Sequence, residues 1–203
     1  AVRYMARLSL ELEPKTGVLM KRDLHYMDSI SADRVRQELV RLLEDKTALQ
    51  ALGLASDLGI LAAVHPALDV TADVQYRLSA ANEYRLIRRL PLFAALTYGA
   101  DESLLPGLVS RLNMDSESES VVRDTAFVKC IIPVLALPDI RPSQIHAALY
   151  KKHPAAIHGC ALATDNVAAR DAMKNYLAEL RYVEPILKGG DVMALGVPEG
   201  PLV

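Results

Sequence analysis

The side chains of this chain best suited to chemistry are basic. Between Tyr76 and Leu90, Arg77, Arg85, Arg88 and Arg89 stand against one acid, Glu83. At about 100° per helical residue, Arg77 and Arg88 project within about 20° of each other, and Arg85 and Arg89 form an i, i+4 pair. Such a stripe, with Tyr76 and Tyr84 nearby, could follow a phosphate backbone; the plainer reading is a set of surface arginines with no partner. Lys151-Lys152-His153 is a second basic spot. Arg34, Glu38, Arg41 and Asp45 recur at i, i+4, i+7 and i+11 with alternating sign. That ladder is either a solvated, salt-bridged helix face worth a few tenths of a kcal/mol per pair, or a face that orients a neighbouring helix handling a ligand.

Other chemistries lack their parts. There is no G-x-G-x-x-G or G-x-x-x-x-G-K-[ST] phosphate loop, no C-x-x-C, no H-E-x-x-H and no G-x-S-x-G. No paired aspartates could clamp two metals; the nearest approach, Asp115-Ser116-Glu117, reads as a solvated loop. His146, His153 and His158 cluster in sequence, but Pro154 separates the last two and their i, i+5 spacing sends them to different faces. His25 and Asp28 can share a helix face without the further ligands a hydrolase site needs. No metal site is expected.

The elements that must carry these side chains are helices. The 203 residues are 51% hydrophobic and 24% charged, with formal net charge −2, so a nucleic-acid role must come from a local patch. Aromatics are 5% with no Trp, which argues against a large β-sandwich. Val35, Leu39, Leu42 and Leu43 form one helical stripe with Ser31 as its cap, and Leu49, Leu52 and Ala55 another that Gly59 closes. Tyr76, Ala80, Tyr84 and Ile87 make a third, stopping near Pro91, and Leu92 to Tyr98 a short helix ending at Gly99. Ser116-x-x-Glu119 matches a capping box; its helix must break before Pro133. Pro142 and Pro154 open two further helices, and Asp165 or Asn166 caps a long one running toward Tyr182. Ser9 to Glu13 alternates like a strand but has no partner, so it is read as a connector. The fold class is all-α, an irregular multi-helix array with no significant sheet, divided near residues 113–120. Cys130 and Cys160 sit in apolar surroundings and read as buried, reduced thiols of a cytoplasmic protein. Ala1 opens as if inside a helix and Gly200-Pro201-Leu202-Val203 looks like a beginning, which suggests a piece of a longer protein.

Ala1-Val2-Arg3-Tyr4-Met5-Ala6-Arg7-Leu8, followed by Leu10-Glu11-Leu12-Glu13-Pro14-Lys15-Thr16, resembles the stretch after the E-D-x-x-R nucleotide-reading motif of bacterial-type (class II) tRNA nucleotidyltransferases and poly(A) polymerases. Ser31 to Leu39 is similar to that family's R-[IV]-x-x-E-L helix, and Ala48 to Leu61 with His65-Pro66-Ala67-Leu68 to its continuation. Arg141 to His146, Arg181 to Pro185 and Gly190 to Gly196 resemble segments of long family members. The resemblance implies a neck and upper body over residues 1–112 and a body and tail over 113–203, without the catalytic head. It implies that Arg34 and Glu38 brace the base-reading helix, that Arg3 lies on that helix's continuation, and that Arg77, Arg85, Arg88, Arg89, Lys151 and Lys152 are the candidates for RNA contact. Mg²⁺ and ATP or CTP are implied for the parent enzyme and no cofactor for this stretch, which lacks the catalytic carboxylates and is expected to be inactive alone. The expected partners are RNA, a tRNA or an RNA 3′ end, and the catalytic head, with no membrane. The alternative is a helical protein–protein scaffold with no RNA role.

Overall fold

The computed structural model describes residues 2–68, 89–184 and 193. Arg77, Arg85 and Arg88, the stripe from Tyr76 to Ile87 and, apart from Met193, the segment Gly190 to Gly196 lie outside the described residues. Among the described residues every regular element is a helix and no strand occurs, as the composition and periodicity predict.

Helix α1 (Val2–Leu8) buries Val2, Met5 and Ala6 and packs on α4 (Ala48–Asp57), whose Ala51, Leu52 and Ala55 face it from the core. Residues 9–13 form the expected connector. Glu13 then caps α2 (Pro14–Asp23): its carboxylate accepts the Thr16 N–H at 2.7 Å, and that bond to the charged form holds the Glu13 pKa below its ordinary value. Although α2 is a three-turn helix, it buries no residue. A 3₁₀ turn, Leu24–Ser29, leads to α3 (Ala32–Leu43), where Val35 and Leu43 are buried and Leu39 and Leu42 half-buried on the same stripe. Gly59, at φ 74°, makes the left-handed turn between α4 and α5 (Ile60–Val64).

The second part of the chain is punctuated by proline. Helix α6 (Arg89–Thr97) is buried from Pro91 to Thr97, and α7 (Leu105–Arg111) follows a 3₁₀ turn. The cap of α8 (Ser116–Cys130) is Asp115, one residue before the expected Ser116: Asp115 Oδ1 accepts the Ser118 N–H at 2.7 Å. An ionised carboxylate answers the positive helix end better than a hydroxyl does, which displaces the capping box. The helix ends at Cys130, and Pro133 sits in the first turn of α9 (Ile132–Leu135), the predicted break. Helices α10 (Pro142–Leu149) and α11 (Pro154–Ala163) start at their prolines. Asn166 caps α12 (Val167–Ala178), accepting the Ala169 N–H at 2.9 Å; the helix stops short of Tyr182, which lies in a separate 3₁₀ turn, Leu180–Tyr182.

Helix α11 is the axis of the packing. Ala155, Ala156, Ile157, Gly159, Cys160, Ala161 and Ala163 are all buried, the all-round apolarity of a helix enclosed by others. It contacts α6, α8 and α12. The closest approach is at Gly159, where a Cβ would meet Ala94 Cβ and lie 2.7 Å from the Pro91 carbonyl oxygen and 2.9 Å from the Ala95 nitrogen. One apolar cluster gathers Val2, Leu52, Leu68, Leu96 and Leu112; a second gathers Val128, Leu149, Ile157 and Met173; Tyr98 packs against both. Cys160 is buried, with its thiol pKa pushed up by desolvation, but Cys130 is exposed at the last residue of α8, against the expectation of burial.

A half-buried histidine supplies a pH test. His65 Nδ1 accepts the Ala67 N–H at 3.2 Å, closing the turn at Pro66. Desolvation, with the nearby Arg111 charge, holds its pKa below the ordinary 6.5. The fold therefore favours the neutral ring: this stabilisation is complete above pH 6.5 and is lost as the pH falls through the depressed folded value. Thermal melts at neutral pH and at about pH 5 should show a smaller acid-induced drop for His65→Asn, which keeps an acceptor for Ala67 N–H but does not titrate. Equal drops would show that His65 contributes nothing to the acid sensitivity.

Candidate nucleic-acid interface

A cleft of about 950 Å³ opens where the α3–α4 turn, the start of α6, the starts of α8 and α11 and the end of α12 converge. Its basic side chains come from distant parts of the chain: Lys46, Arg89, His153, His158 and Arg181. Its acids are Glu44, Asp45 and Glu117. Each acid stands near a base: Glu44 Oε1 is 3.9 Å from Arg89 Nε, Glu117 Oε1 is 3.8 Å from His153 Nε2, and Asp45 Oδ2 is 3.8 Å from Arg7 Nε outside the cleft. Lys46 and Arg181 make no ion pair among the described residues, so their charge is available to an anion entering the cleft. The Asp45 carboxyl is held below its ordinary pKa, first by the Thr47 N–H and then by Arg7, and stays ionised.

A smaller hollow of about 360 Å³ continues the cleft, sharing His153, Pro154 and Arg181 with it and adding Tyr150, Lys151 and Tyr176. The loop between α10 and α11 is fixed from below. Asp124, on α8 and 7% exposed, accepts the His153 N–H at 2.7 Å and sits 3.5 Å from Lys152 Nζ. Lys152 Nζ also lies 3.8 Å from the Phe127 ring centroid, so this side chain is anchored inward. Lys151, at φ 61°, points its ammonium instead over Tyr150 on the surface, 5.4 Å from the ring centroid.

Arg3, Arg34 and Glu38 come together elsewhere. They line a mainly apolar cavity of about 320 Å³ between α1, the first 3₁₀ turn, α3 and α5, with Met27, Leu39, Leu61 and Val64. Arg34 and Glu38 do not pair with each other; Glu38 takes Arg41 at 2.6 Å. Of the expected RNA-contact arginines within the described residues, Arg89 lies in the cleft; Lys151 and Lys152 lie in the hollow. Sequence reading missed Lys46 and the cleft positions of His158 and Arg181. Lys46 follows the end of α3 and Arg181 follows α12, where helical periodicity no longer predicts direction. Among the described residues no group of three or more His, Cys, Asp or Glu side chains could hold a metal ion. No helix of the described residues is long and apolar enough to cross a membrane.

Residues 9–71, covering α2 to α5, match the family model described as the probable RNA- and SrmB-binding site of polymerase A. An A-adding tRNA nucleotidyltransferase of Geobacter sulfurreducens is 22% identical, over 99% of this chain and 25% of the relative. A Thermotoga maritima CCA-adding enzyme solved in complex with tRNA superposes with a TM-score of 0.78 at 14% identity, covering 99% of this chain and 52% of that one. A CCA-adding enzyme solved with ATP gives a TM-score of 0.77 at 17% identity, covering 99% and 51%. The chain thus spans a quarter of the A-adding relative and about half of each CCA-adding enzyme. The fold is that of a helical array shared with the CCA-adding enzymes. Residues 9–71 match that RNA-binding family model, and the chain is similar to the A-adding enzyme over nearly its whole length, in keeping with the resemblance of its own motifs to tRNA nucleotidyltransferases and poly(A) polymerases.

Proposed function

We propose that this chain is the RNA-holding helical part of an enzyme that adds nucleotides to the 3′ end of an RNA, a tRNA above all. The observation that carries this reading is the cleft in which Lys46, Arg89 and Arg181 converge from three separate parts of the chain on a concave, rigid surface. Holding RNA requires spaced cations and little else; phosphate contacts fix position and leave the chemistry to other groups. The family model's RNA-binding description and the tRNA bound by the Thermotoga enzyme support the same partner.

In this reading residues 1–112 form a neck and upper body, and residues 113–203 a body and tail. Arg3, Arg34 and Glu38 support the base-reading helix from the apolar cavity they share. Nucleotide and Mg²⁺ are held by a catalytic head outside this chain, so the chain alone incorporates no nucleotide. The protein works in the cytoplasm.

The test is tRNA retention by the purified chain at low and moderate salt. Wild type should bind, with affinity falling steeply as salt rises. Lys46→Ala, Arg89→Ala and Arg181→Ala together should weaken binding about 10-fold at low salt and flatten the log–log salt slope by about two. No binding at low salt, or a triple variant indistinguishable from wild type, would overturn the proposal.

A further inference from the structure

The cavity of about 320 Å³ between α1, the first 3₁₀ turn, α3 and α5 differs in kind from the cleft. Its inner wall is hydrocarbon: Ala55, Leu61 and Leu68 are 1%, 3% and 0% exposed, with Val35 and Val64 buried beside them. Its charged lining residues are Arg3, Arg34 and Glu38. Arg34 and Glu38 are exposed and Arg3 is half-buried, so the charges stand at the solvent end and the hydrocarbon at the inner end.

These charges do not balance one another. Glu38 pairs with Arg41 at 2.6 Å, which answers its charge. Asp45, the acid that feels Arg3, is held by the Thr47 N–H and by Arg7. Arg3 Cζ lies 5.5 Å from the Tyr4 ring centroid, and neither Arg3 nor Arg34 makes an ion pair among the described residues. Two cations from separate helices thus border an opening above an apolar wall.

That arrangement selects a ligand by chemistry. A nucleobase or sugar enclosed here would leave its polar atoms without partners, because the inner wall offers none. A hydrocarbon body carries no such cost, and its burial removes apolar surface from water on both sides. The void equals the liquid volume of about ten water molecules, which sets the ligand at about ten non-hydrogen atoms. An anionic head at the opening meets the two guanidinium groups, whose planar donor forks match a carboxylate.

We infer that this cavity binds a small amphipathic carboxylate of the size of a medium-chain fatty acid. Its hydrocarbon end lies against Leu61 and Leu68 and its carboxylate at Arg3 and Arg34. This goes beyond the RNA-holding reading and does not depend on it, since it uses none of Lys46, Arg89 or Arg181. It is a binding step only; no bond is made or broken.

Isothermal titration calorimetry of the purified chain with octanoate as the probe tests this, with octylamine and 1-octanol as controls of equal chain length. Octanoate should bind at one site, and the amine and the alcohol should each bind about 10-fold more weakly for want of the charge-assisted bonds. Hexanoate, which buries two fewer methylenes, should also bind about 10-fold more weakly than octanoate. The double variant Arg3→Gln, Arg34→Gln should weaken octanoate about 10-fold and leave octanol unchanged. Leu39→Phe and Val64→Phe put a larger side chain into the cavity and should abolish octanoate binding. Circular dichroism melts check that each variant is folded; Leu39 is half-buried and keeps the test open if Val64→Phe unfolds. Absence of saturable octanoate binding, or a folded Leu39→Phe protein that binds it like wild type, would overturn the inference. So would octylamine or octanol bound as tightly as octanoate, which would mark the cavity as a purely apolar seat of the kind a partner protein's side chain occupies.

Discussion

Replacing Gly159 by alanine is expected to destabilise this protein by about 3 kcal/mol. In most helix interiors the change would help, since alanine is favoured over glycine by about 1 kcal/mol. Here the new methyl would lie 2.7 Å from the Pro91 carbonyl oxygen and 2.9 Å from the Ala95 nitrogen. Those are backbone atoms, so no rotamer change relieves the overlap; α6 as a whole must move off α11. It cannot move freely, because it also packs on α3 and α8. Overpacking a close-packed interior costs about 1–3 kcal/mol and more where the neighbours cannot give, which outweighs the propensity gain. For a chain of this size the melting temperature should fall by about 6–12 °C. Gly17→Ala is the internal control: its methyl would meet only Leu12 Cδ2 at 3.4 Å, so the propensity gain should survive and the sign should reverse or the effect vanish. Calorimetry of the two variants decides the matter, and a Gly159→Ala protein as stable as wild type would refute the close contact.

Asp124→Ala should cost about 2–3 kcal/mol. The side chain is buried on α8, yet its two oxygens serve two different groups, the His153 N–H at 2.7 Å and Lys152 Nζ at 3.5 Å. Truncation leaves a half-buried N–H without its acceptor and a lysine without its counter-charge, and a hydrogen bond to a charged group is worth about 1.5–3 kcal/mol. Asn keeps an oxygen for the N–H and loses the ion pair, so Asp124→Asn should cost about half as much. Urea unfolding of both variants would show it; equal losses would mean that the hydrogen bond to His153 N–H contributes nothing, and an Asn variant as stable as wild type that the ion pair contributes nothing.

Much of the fold was legible because proline, glycine and small capping residues mark element ends through local stereochemistry. Pro142, Pro154, Pro133 and Gly59 each stand where a helix starts, breaks or turns, as read from sequence. The charge ladder was legible only in part. Glu38 does meet Arg41, but Asp45 lies beyond the end of α3 and turns to Arg7 on α1. Periodicity holds within one helix and says nothing about partners brought in from another. The cleft shows the same limit on a larger scale, since Lys46, Arg89, His153 and Arg181 share no spacing and meet only because α11 draws α6, α8 and α12 around itself. Cys130 has apolar neighbours in sequence, but as the last residue of α8 it faces outward.

The interlock at Gly159 also bears on how anything is gripped. Arg89 begins α6, His153 caps α11, and these two helices meet with no room for so much as a methyl group between them. The walls bearing those two side chains are therefore a fixed mould and not a jaw. A guest must supply all the flexibility of the encounter and surrender it on entry, while the host gives up almost none of its own freedom.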